Sequence, residues 1–263
     1  MIELYSGTPG SGKSLHTAKK IRDRLRMRGR VIVGNFYINT KAVKRCKSSY
    51  IYVSNDRLTP ERLLLFSRRY SRHLGRRLRE GELLLVIDEA QLLFNSREWQ
   101  NIGRQGWLSF FSQHRHYGYD VILVAQFDRM LDRQVRSLIE YDTIHRKVSR
   151  AGYLGLVVGL FTGGNLYIAS KHWYPIHERV ESTFFLGRNR IYEIYDSYNH
   201  FDAPGTTVSG NKKGKDNIGL KGLDILRDRK WNCKDNAQAA SDIPGSLPAM
   251  VQDETPDDKG TEL

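Results

Sequence analysis

The chain has 263 residues, enough for one α/β domain of about 200 residues with a large core and an appendage. It has 42 basic and 29 acidic residues and a net charge of +13, and residues 1–199 alone hold 33 basic and 18 acidic side chains, a net charge of +15. This basic part favours polyanionic partners, such as nucleic acid or an acidic membrane surface, and export through a secretory signal peptide is not expected, because Met1 leads directly into a strand-like run.

The first thirty residues have the order strand, glycine-rich loop, helix. IELY at 2–5 predicts a buried strand, and SLHTAKKIRDRLRMRGR at 14–30 predicts a helix with one apolar stripe. Between them, GTPGSGKS at 7–14 has the Walker A spacing, in which backbone N–H groups surround the phosphates of a nucleotide. The order predicts a phosphate-binding loop, with a glycine-rich turn that binds no ligand as the alternative.

Each residue type in this loop has a physical reason. Glycines let the main chain approach an anion closely, and Pro9 stiffens the loop. Lys13 is expected to reach the β and γ phosphates as a catalytic residue, and Ser14 is expected to hold Mg²⁺ beside the positive end of the helix. The predicted nucleotide-binding residues are Gly7, Thr8, Pro9, Gly10, Ser11, Gly12, Lys13, Ser14 and Leu15.

Further strands and helices alternate up to about residue 140. RVIVGNF predicts a strand, and a helix begins after Thr59 as cap with Pro60 in its first turn. Buried strands are predicted for LLLVI and DVILVAQ, and helices for 105–116 and for DRMLDRQVRSLIEY at 128–141. The fold class predicted is α/β, a P-loop NTPase with a parallel sheet flanked by helices, whose ligands bind at the carboxyl ends of the strands.

Polar residues follow two of these buried strands. Asp88 directly follows LLLVI, where a P-loop protein places the acidic residue of the Mg²⁺ shell, and Glu89 is the predicted catalytic residue that activates water. The alternative is a helix cap, since Asp is favoured there. Gln126 ends DVILVAQ and is predicted to be a catalytic sensor of the γ-phosphate, with an ordinary strand-ending glutamine as the alternative.

Arginines are candidates for neutralising the transferred phosphoryl group, including across a subunit interface. Arg115 is the predicted catalytic arginine, and Arg129, Arg133 and Arg136 are further candidates, with a solvated or DNA-facing arginine as the alternative for each. ATP is preferred over GTP because no Asn-Lys-x-Asp motif occurs in the predicted domain. The basic runs at 22–30 and 68–79 are equally consistent with phosphate-backbone binding and with solvated helix faces.

The C-terminal part has a different pattern. A β-rich extension is predicted for 144–199, with strands at TIHRKVS, YLGLVVGLF, LYIASKHWYP and RIYEIYDSY. Its apolar segment 153–164 is expected to be a buried strand or a glycine-turned hairpin rather than a membrane span. The predicted domains are therefore 1–200, a P-loop domain with this extension, and 201–263, a polar tail expected to be disordered.

Four separated motifs carry a family resemblance: IELYSGTPGSGKSLHTAKKI, VIDEAQ, HRHYGYDVILVAQ and IYEIYDSY. Together they resemble the zonular occludens toxin (Zot) family, which includes assembly proteins of filamentous phages. The resemblance implies an ATPase at the host inner membrane that drives virion assembly and extrusion. On that basis Gly12, Lys13 and Ser14 take the Walker A role, and Asp88 and Glu89 the Walker B role.

The resemblance also implies partners and a location. The expected partners are ATP, Mg²⁺, phage coat or membrane assembly proteins and further copies of the chain, with single-stranded DNA and the membrane surface as additional candidates. The expected location is the host cytoplasm or the cytoplasmic face of the inner membrane. Relatives usually continue into a membrane-spanning helix, whereas residues 201–263 are too polar to span a bilayer. Alternatives are a DNA-translocating or packaging ATPase and a non-hydrolysing, nucleotide-dependent adaptor.

Overall fold

The computed structural model of the chain describes residues 1–95, 104–150, 153, 157 and 160–195. Within these residues, one eight-stranded sheet has the order β3-β2-β4-β5-β1-β6-β7-β8. The strands are β1 (Ile2–Ser6), β2 (Val31–Gly34), β3 (Ser49–Tyr52), β4 (Leu83–Ile87), β5 (Tyr119–Val124), β6 (Tyr141–Lys147), β7 (Leu166–Trp173) and β8 (Glu178–Leu186). The helices are α1 (Lys13–Leu25), α2 (Pro60–Leu74), α3 (Arg104–Gln113), α4 (Arg133–Arg136) and α5 (Asn189–Tyr192). Single 3₁₀ turns occupy Thr40–Ala42, Ala90–Leu92, Asp128–Met130 and Val148–Arg150.

In the order of the sheet, the six strands β3, β2, β4, β5, β1 and β6 pair in parallel. Strand β7 pairs antiparallel with β6, and β8 pairs antiparallel with β7. The predicted α/β fold is therefore confirmed. Strand β5 lies between β1 and β4, so the phosphate loop and the acidic pair are separated by one strand. All five side chains of β1 and of β4 are buried, as expected for central parallel strands covered on both faces.

Two apolar clusters cover the two faces of the sheet. Helix α1 buries its stripe from Leu15 to Leu25 against one face, together with Tyr5, Val86 and other strand residues. Helices α2 and α3 bury Leu63, Trp107 and neighbouring side chains against the other. Because these strands are parallel, their carboxyl ends lie along the same side of the sheet. The helices cover both faces and leave this side open, and ligands of such sheets bind there.

Helix α2 begins and ends as its sequence predicts. The Thr59 hydroxyl accepts a hydrogen bond from the Arg62 N–H, and Pro60 occupies the first helical position, where its missing N–H costs no hydrogen bond. Gly75 ends the helix in the left-handed conformation, φ 65°, which favours glycine.

Some predictions of secondary structure are wrong, and two strands, β3 and β8, were missed. The helix predicted over 128–141 is only the four-residue α4, because Leu131 pairs as an isolated bridge with Asn95 and its extended backbone interrupts the helical pattern. The strand predicted for RIYEIYDSY is instead α5 over its first residues, with 196–198 outside the described residues. Strand β8 was not predicted, since its sequence carries several charges and most of it is solvent-exposed.

The apolar segment 153–164 lies partly outside the described residues. At its described positions Tyr153, Val157 and Leu160 the chain is helical, so the predicted strand is wrong there. Among the described helices, none combines the length and the apolar character needed to cross a bilayer. The polar tail from 201 onward, predicted to be disordered, lies outside the described residues.

Candidate nucleotide-binding site

The phosphate loop connects the end of β1 to the start of α1. Its entry is held by a hydrogen bond from the Gly7 N–H to the Gln126 carbonyl, 3.0 Å, and Ser11 N–H donates to the Thr8 carbonyl across the turn. A side chain at Gly7 would lie 2.6 Å from the carbonyl oxygen of His145, so this close approach of two backbones requires glycine. Thr8, Pro9 and Gly10 are exposed at the tip.

Lys13 folds back over this loop. Its Nζ donates to the carbonyl oxygens of Gly7 at 2.6 Å and Thr8 at 3.3 Å, and the residue is only 9% exposed. Burial lowers the pKa of the Lys13 ammonium, while the nearby Glu89 and Asp88 act in the opposite direction. The ammonium is thus desolvated and held where phosphate oxygens can replace the loop carbonyls as its partners.

A buried hydroxyl group in the loop is consistent with an anionic ligand. The Ser11 hydroxyl oxygen is buried and has no hydrogen-bond partner in the described part of the chain. A buried hydroxyl without a partner costs free energy, about 1–3 kcal/mol, which a bound phosphate oxygen would remove. Gly12 caps α1 with φ 96°, and the helix starts at Lys13, so its first N–H groups lie beside the loop.

Ser14 and Leu15 occupy the next two positions of α1. Ser14 is half-buried, while the Leu15 side chain is buried in the core on the α1 face of the sheet. Leu15 can therefore meet a ligand in the loop only through its backbone N–H, whereas the Ser14 hydroxyl remains a candidate Mg²⁺ ligand.

Asp88 follows β4 and is buried. Its backbone is held by Asn35: the Asp88 N–H donates to Asn35 Oδ1 at 2.6 Å, and Asn35 Nδ2 donates to the Asp88 carbonyl at 2.8 Å. Asn35 directly follows β2, the neighbouring strand, and sequence reasoning missed it. The only signal that could have found it is its position as the first polar residue after an apolar strand.

Glu89 has an unusual backbone. It lies in the left-handed region at φ 47°, ψ 48°, which is uncommon for a residue other than glycine. Its N–H donates to Asp88 Oδ1 at 3.0 Å, and its exposed carboxylate accepts a hydrogen bond from Gln91 Nε2. The Glu89 side chain itself does not cap the following 3₁₀ turn. Such strained positions concentrate at functional sites.

A cavity of about 480 Å³ opens beside the loop at the carboxyl ends of β5, β1 and β6. Gln126 lines it, together with Asp142, Arg146 and Arg150. Arg150 donates from a guanidinium nitrogen to the Pro9 carbonyl at 3.2 Å, which brings a cation to the tip of the loop. Neither Asp142 nor Arg150 was predicted.

Asp142 is a buried carboxyl in this cavity. Burial raises its pKa to about 6, although Ser6 Oγ donates to Asp142 Oδ1 at 2.7 Å and opposes that rise. The folded chain therefore holds this proton more tightly than the unfolded chain does. Its contribution to stability falls as pH rises from about 4 to about 6 and is constant above that range.

Among the candidate arginines, Arg115 lies apart from the loop. Arg115 precedes β5 at the amino edge of the sheet and donates to Glu140 Oε2 at 2.7 Å, with its side chain 51% exposed. The five residues of β1 separate this edge from the loop, about 17 Å at 3.3 Å per residue. Arg129 lies in the turn before α4, and Arg133 and Arg136 lie on α4.

The geometry thus brings Lys13, Asp88, Glu89 and Gln126 to one edge of the sheet and leaves Arg115 at the opposite edge. The fold and this loop define a P-loop nucleotide-binding protein. The sequence model of the zonular occludens toxin (Zot) family matches residues 1–198, and the chain belongs to that family.

The chain is similar to several known proteins. The gene 1 protein of Enterobacteria phage M13 is 28% identical over 216 residues, which is 77% of this chain and 60% of that protein, so the chain spans less than two thirds of this relative's length. The N-terminal domain of zonular occludens toxin from Neisseria meningitidis has 16% identity, a TM-score of 0.47 and coverage of 74% of this chain and 98% of that one. The solved structure of another ATPase domain has 9% identity, a TM-score of 0.51 and coverage of 74% of this chain and 84% of that one, a likeness of fold.

Proposed function

We propose that the chain is an ATP-hydrolysing motor for the assembly and extrusion of filamentous phage virions at the host inner membrane. The observation that carries the enzymatic part is the meeting of Lys13, Asp88 and Glu89 at the carboxyl edge of one parallel sheet. The phage part rests on membership of the Zot family and on similarity to phage gene 1 proteins. Coat proteins and membrane assembly proteins are the partners this function requires.

Each residue around the loop has a separate role in ATP hydrolysis. The N–H groups of the loop and of the first turn of α1 bind the phosphates, and Lys13 neutralises the β and γ oxygens. Ser14 and Asp88 are the residues that would hold Mg²⁺, which supplies further charge neutralisation when bound. Glu89 accepts the proton of the attacking water, and Gln126 orients that water or the γ-phosphate from the end of β5.

Arg115 acts from a neighbouring copy of the chain in this proposal. It lies at the edge opposite the loop, so within one chain it cannot approach the phosphates. In a head-to-tail oligomer, the amino edge of one copy faces the loop of the next, and such heterologous contacts form a ring when the rotation between copies closes. Its present ion pair with Glu140 is partly exposed and therefore contributes little free energy, about 1 kcal/mol or less, so exchanging partners costs little.

Replacing Glu89 by glutamine tests the enzymatic part. Turnover is expected to fall on the order of 10²-fold while ATP affinity is retained, because the amide keeps the shape of the side chain and removes only the base. Phosphate release and equilibrium binding of a fluorescent ATP analogue measure the two effects. Glu178→Gln, on an exposed residue at the start of β8, is the matched control.

Two outcomes of this experiment would overturn the hydrolytic motor. One is full turnover in Glu89→Gln. The other is a wild-type protein that binds ATP without multiple turnover, which would favour a non-hydrolysing adaptor.

A second candidate function, a motor that acts directly on nucleic acid, is favoured by a basic surface that the fold assembles. Three segments, 22–30, 41–47 and 68–79, lead towards the amino ends of β2, β3 and β4, which are neighbours in the sheet. We call this surface the basic edge; its three segments contain 15 Lys and Arg residues and one acidic residue. The Lys47 N–H donates to the Leu25 carbonyl at 2.7 Å and joins the second segment to the first, and Arg30 donates to the carbonyl of Gly81, two residues beyond the third segment, at 2.6 Å.

The dependence of single-stranded DNA affinity on salt tests this second function. Each phosphate contact contributes about −0.7 to the slope of log affinity against log salt, so a DNA-binding basic edge gives a steep slope. The double variant Arg28→Glu and Arg77→Glu, at exposed positions of the basic edge, is expected to weaken binding and flatten the slope. Arg190→Glu combined with Arg188→Glu, on and beside α5, gives the same change of net charge elsewhere and serves as control. Equal loss in both double variants, or a flat slope in the wild type, would count against direct action on DNA.

A further inference from the structure

The antiparallel strands β7 and β8 lie beside the phosphate loop as well as beside the sheet. A Cβ atom at Gly12 would lie 2.6 Å from Cδ1 and 3.0 Å from Cγ of Tyr167 on β7. The Tyr167 ring therefore lies directly against the backbone that precedes Lys13. Gly12 also has φ 96°, so both its backbone angle and this ring exclude a side chain there.

The Tyr167 ring has little freedom to move away. It is 8% exposed and stacks on Phe185 of β8 at a centroid distance of 5.5 Å and an interplanar angle of 19°. Phe185 in turn stacks on His16 of α1 at 5.0 Å. The Tyr167 ring thus lies between the phosphate loop on one side and β8 on the other, and β8 itself packs on α1.

The other end of the loop is held by β6. The backbone carbonyl of His145 approaches Gly7, and the His145 ring donates from Nδ1 to the Ser6 carbonyl at 3.1 Å. Its Nε2 accepts a hydrogen bond from His16 Nδ1 at 2.8 Å. Burial lowers the pKa of His145 to about 4 and that of His16 to about 2, so both rings are neutral at pH 7 and keep these hydrogen bonds.

We propose that Tyr167 is a positioning residue that holds Gly12 and Lys13 in the conformation that binds phosphate. Its ring acts through backbone contact and need not touch the nucleotide. The inference rests on the proposed nucleotide-binding function and extends it: the antiparallel extension supports the loop from outside the parallel sheet. Loss of the ring leaves a space beside Gly12, into which the backbone of the loop can move.

Nucleotide affinity of Tyr167 variants tests the proposal. Tyr167→Ala is expected to weaken binding of a fluorescent ATP analogue at least tenfold, and Tyr167→Phe is expected to retain affinity within about twofold, because the ring remains and only the contact of its hydroxyl with Tyr192 is lost. Phe110→Ala is the matched control, since it removes another buried ring, 1% exposed, on the opposite face of the sheet. Thermal unfolding identifies a temperature at which all variants are folded, and affinities are compared there.

A double-mutant cycle with Gly12→Ala separates positioning from general loss of stability. Gly12→Ala alone is expected to abolish binding, and part of that loss is expected to disappear in the Tyr167→Ala background, because the ring that the new Cβ would meet is gone. Equal affinity of Tyr167→Ala and Phe110→Ala, or strict additivity of the two substitutions, would overturn the positioning role. If the wild-type protein binds ATP but does not turn it over, the proposed motor function is excluded. The positioning role of Tyr167 is still tested in that case, because its readout is ATP affinity and not turnover.

Discussion

Replacing Lys13 by alanine is expected to lower ATP turnover by at least about 10²-fold and to weaken ATP binding. Its ammonium is the buried cation that the loop holds against the carbonyl oxygens of Gly7 and Thr8, and alanine leaves the charge developing on the phosphoryl group without this partner. Phosphate release at saturating ATP and equilibrium binding of a fluorescent analogue measure both effects.

Lys20→Ala is the control for this substitution. It removes the same charge from the same helix, about two helical turns further along, where the side chain is half-exposed. Turnover is expected to remain near the wild-type rate in this variant. Unchanged turnover in Lys13→Ala would contradict the assignment of the loop as the catalytic phosphate site.

Arg115→Ala is expected to abolish turnover alone and to regain part of it when mixed with Lys13→Ala. In a head-to-tail oligomer, an interface that joins the intact loop of an Arg115→Ala copy to the intact arginine of a Lys13→Ala copy contains a complete site. An arginine supplied from a neighbouring subunit contributes about 10³–10⁵ in rate, so the restored fraction is measurable above either variant alone. The measurement is phosphate release as a function of the mixing ratio.

Two controls make this mixing experiment decisive. Arg115→Ala mixed with the double variant Lys13→Ala and Arg115→Ala has no complete interface and is expected to remain inactive. Arg72→Ala removes an exposed arginine near the C-terminal end of α2 and is expected to retain turnover. No recovery in the first mixture, together with turnover in Arg115→Ala near the wild-type rate, would exclude Arg115 as the arginine that acts across the interface.

The parts of the chain that sequence reasoning predicted well are those set by local chemistry. Strand β4, and strand β5 from Val121 onward, have continuous apolar residues, α2 has Thr59 and Pro60 at its start, and the phosphate loop has glycines where the backbone requires them. In each case the signal lies within a few consecutive residues. The physical cause is equally local, either a backbone angle, a capping hydrogen bond or the burial of adjacent side chains.

The wrong predictions arose where distant contacts override local preference. The segment 128–141 has helical periodicity, yet its bridge to Asn95 and the turn into β6 leave only four helical residues. Strand β8 has a charged, mostly exposed sequence and is a strand because it pairs with β7 along its length. The intrinsic secondary-structure propensity of a segment does not include the free energy that pairing with a distant strand contributes.

By itself, the sequence determined the phosphate loop, the acidic pair after β4 and the α/β class, because each depends on residue types close together in the chain. Only the tertiary structure decided what surrounds them: Asn35 holding Asp88, Asp142 and Arg150 beside the cavity, and Tyr167 against Gly12. It also placed Arg115 at the opposite edge and joined three basic segments into one surface. These contacts join residues up to about 155 positions apart, and strand order and register, which no short motif encodes, bring them together.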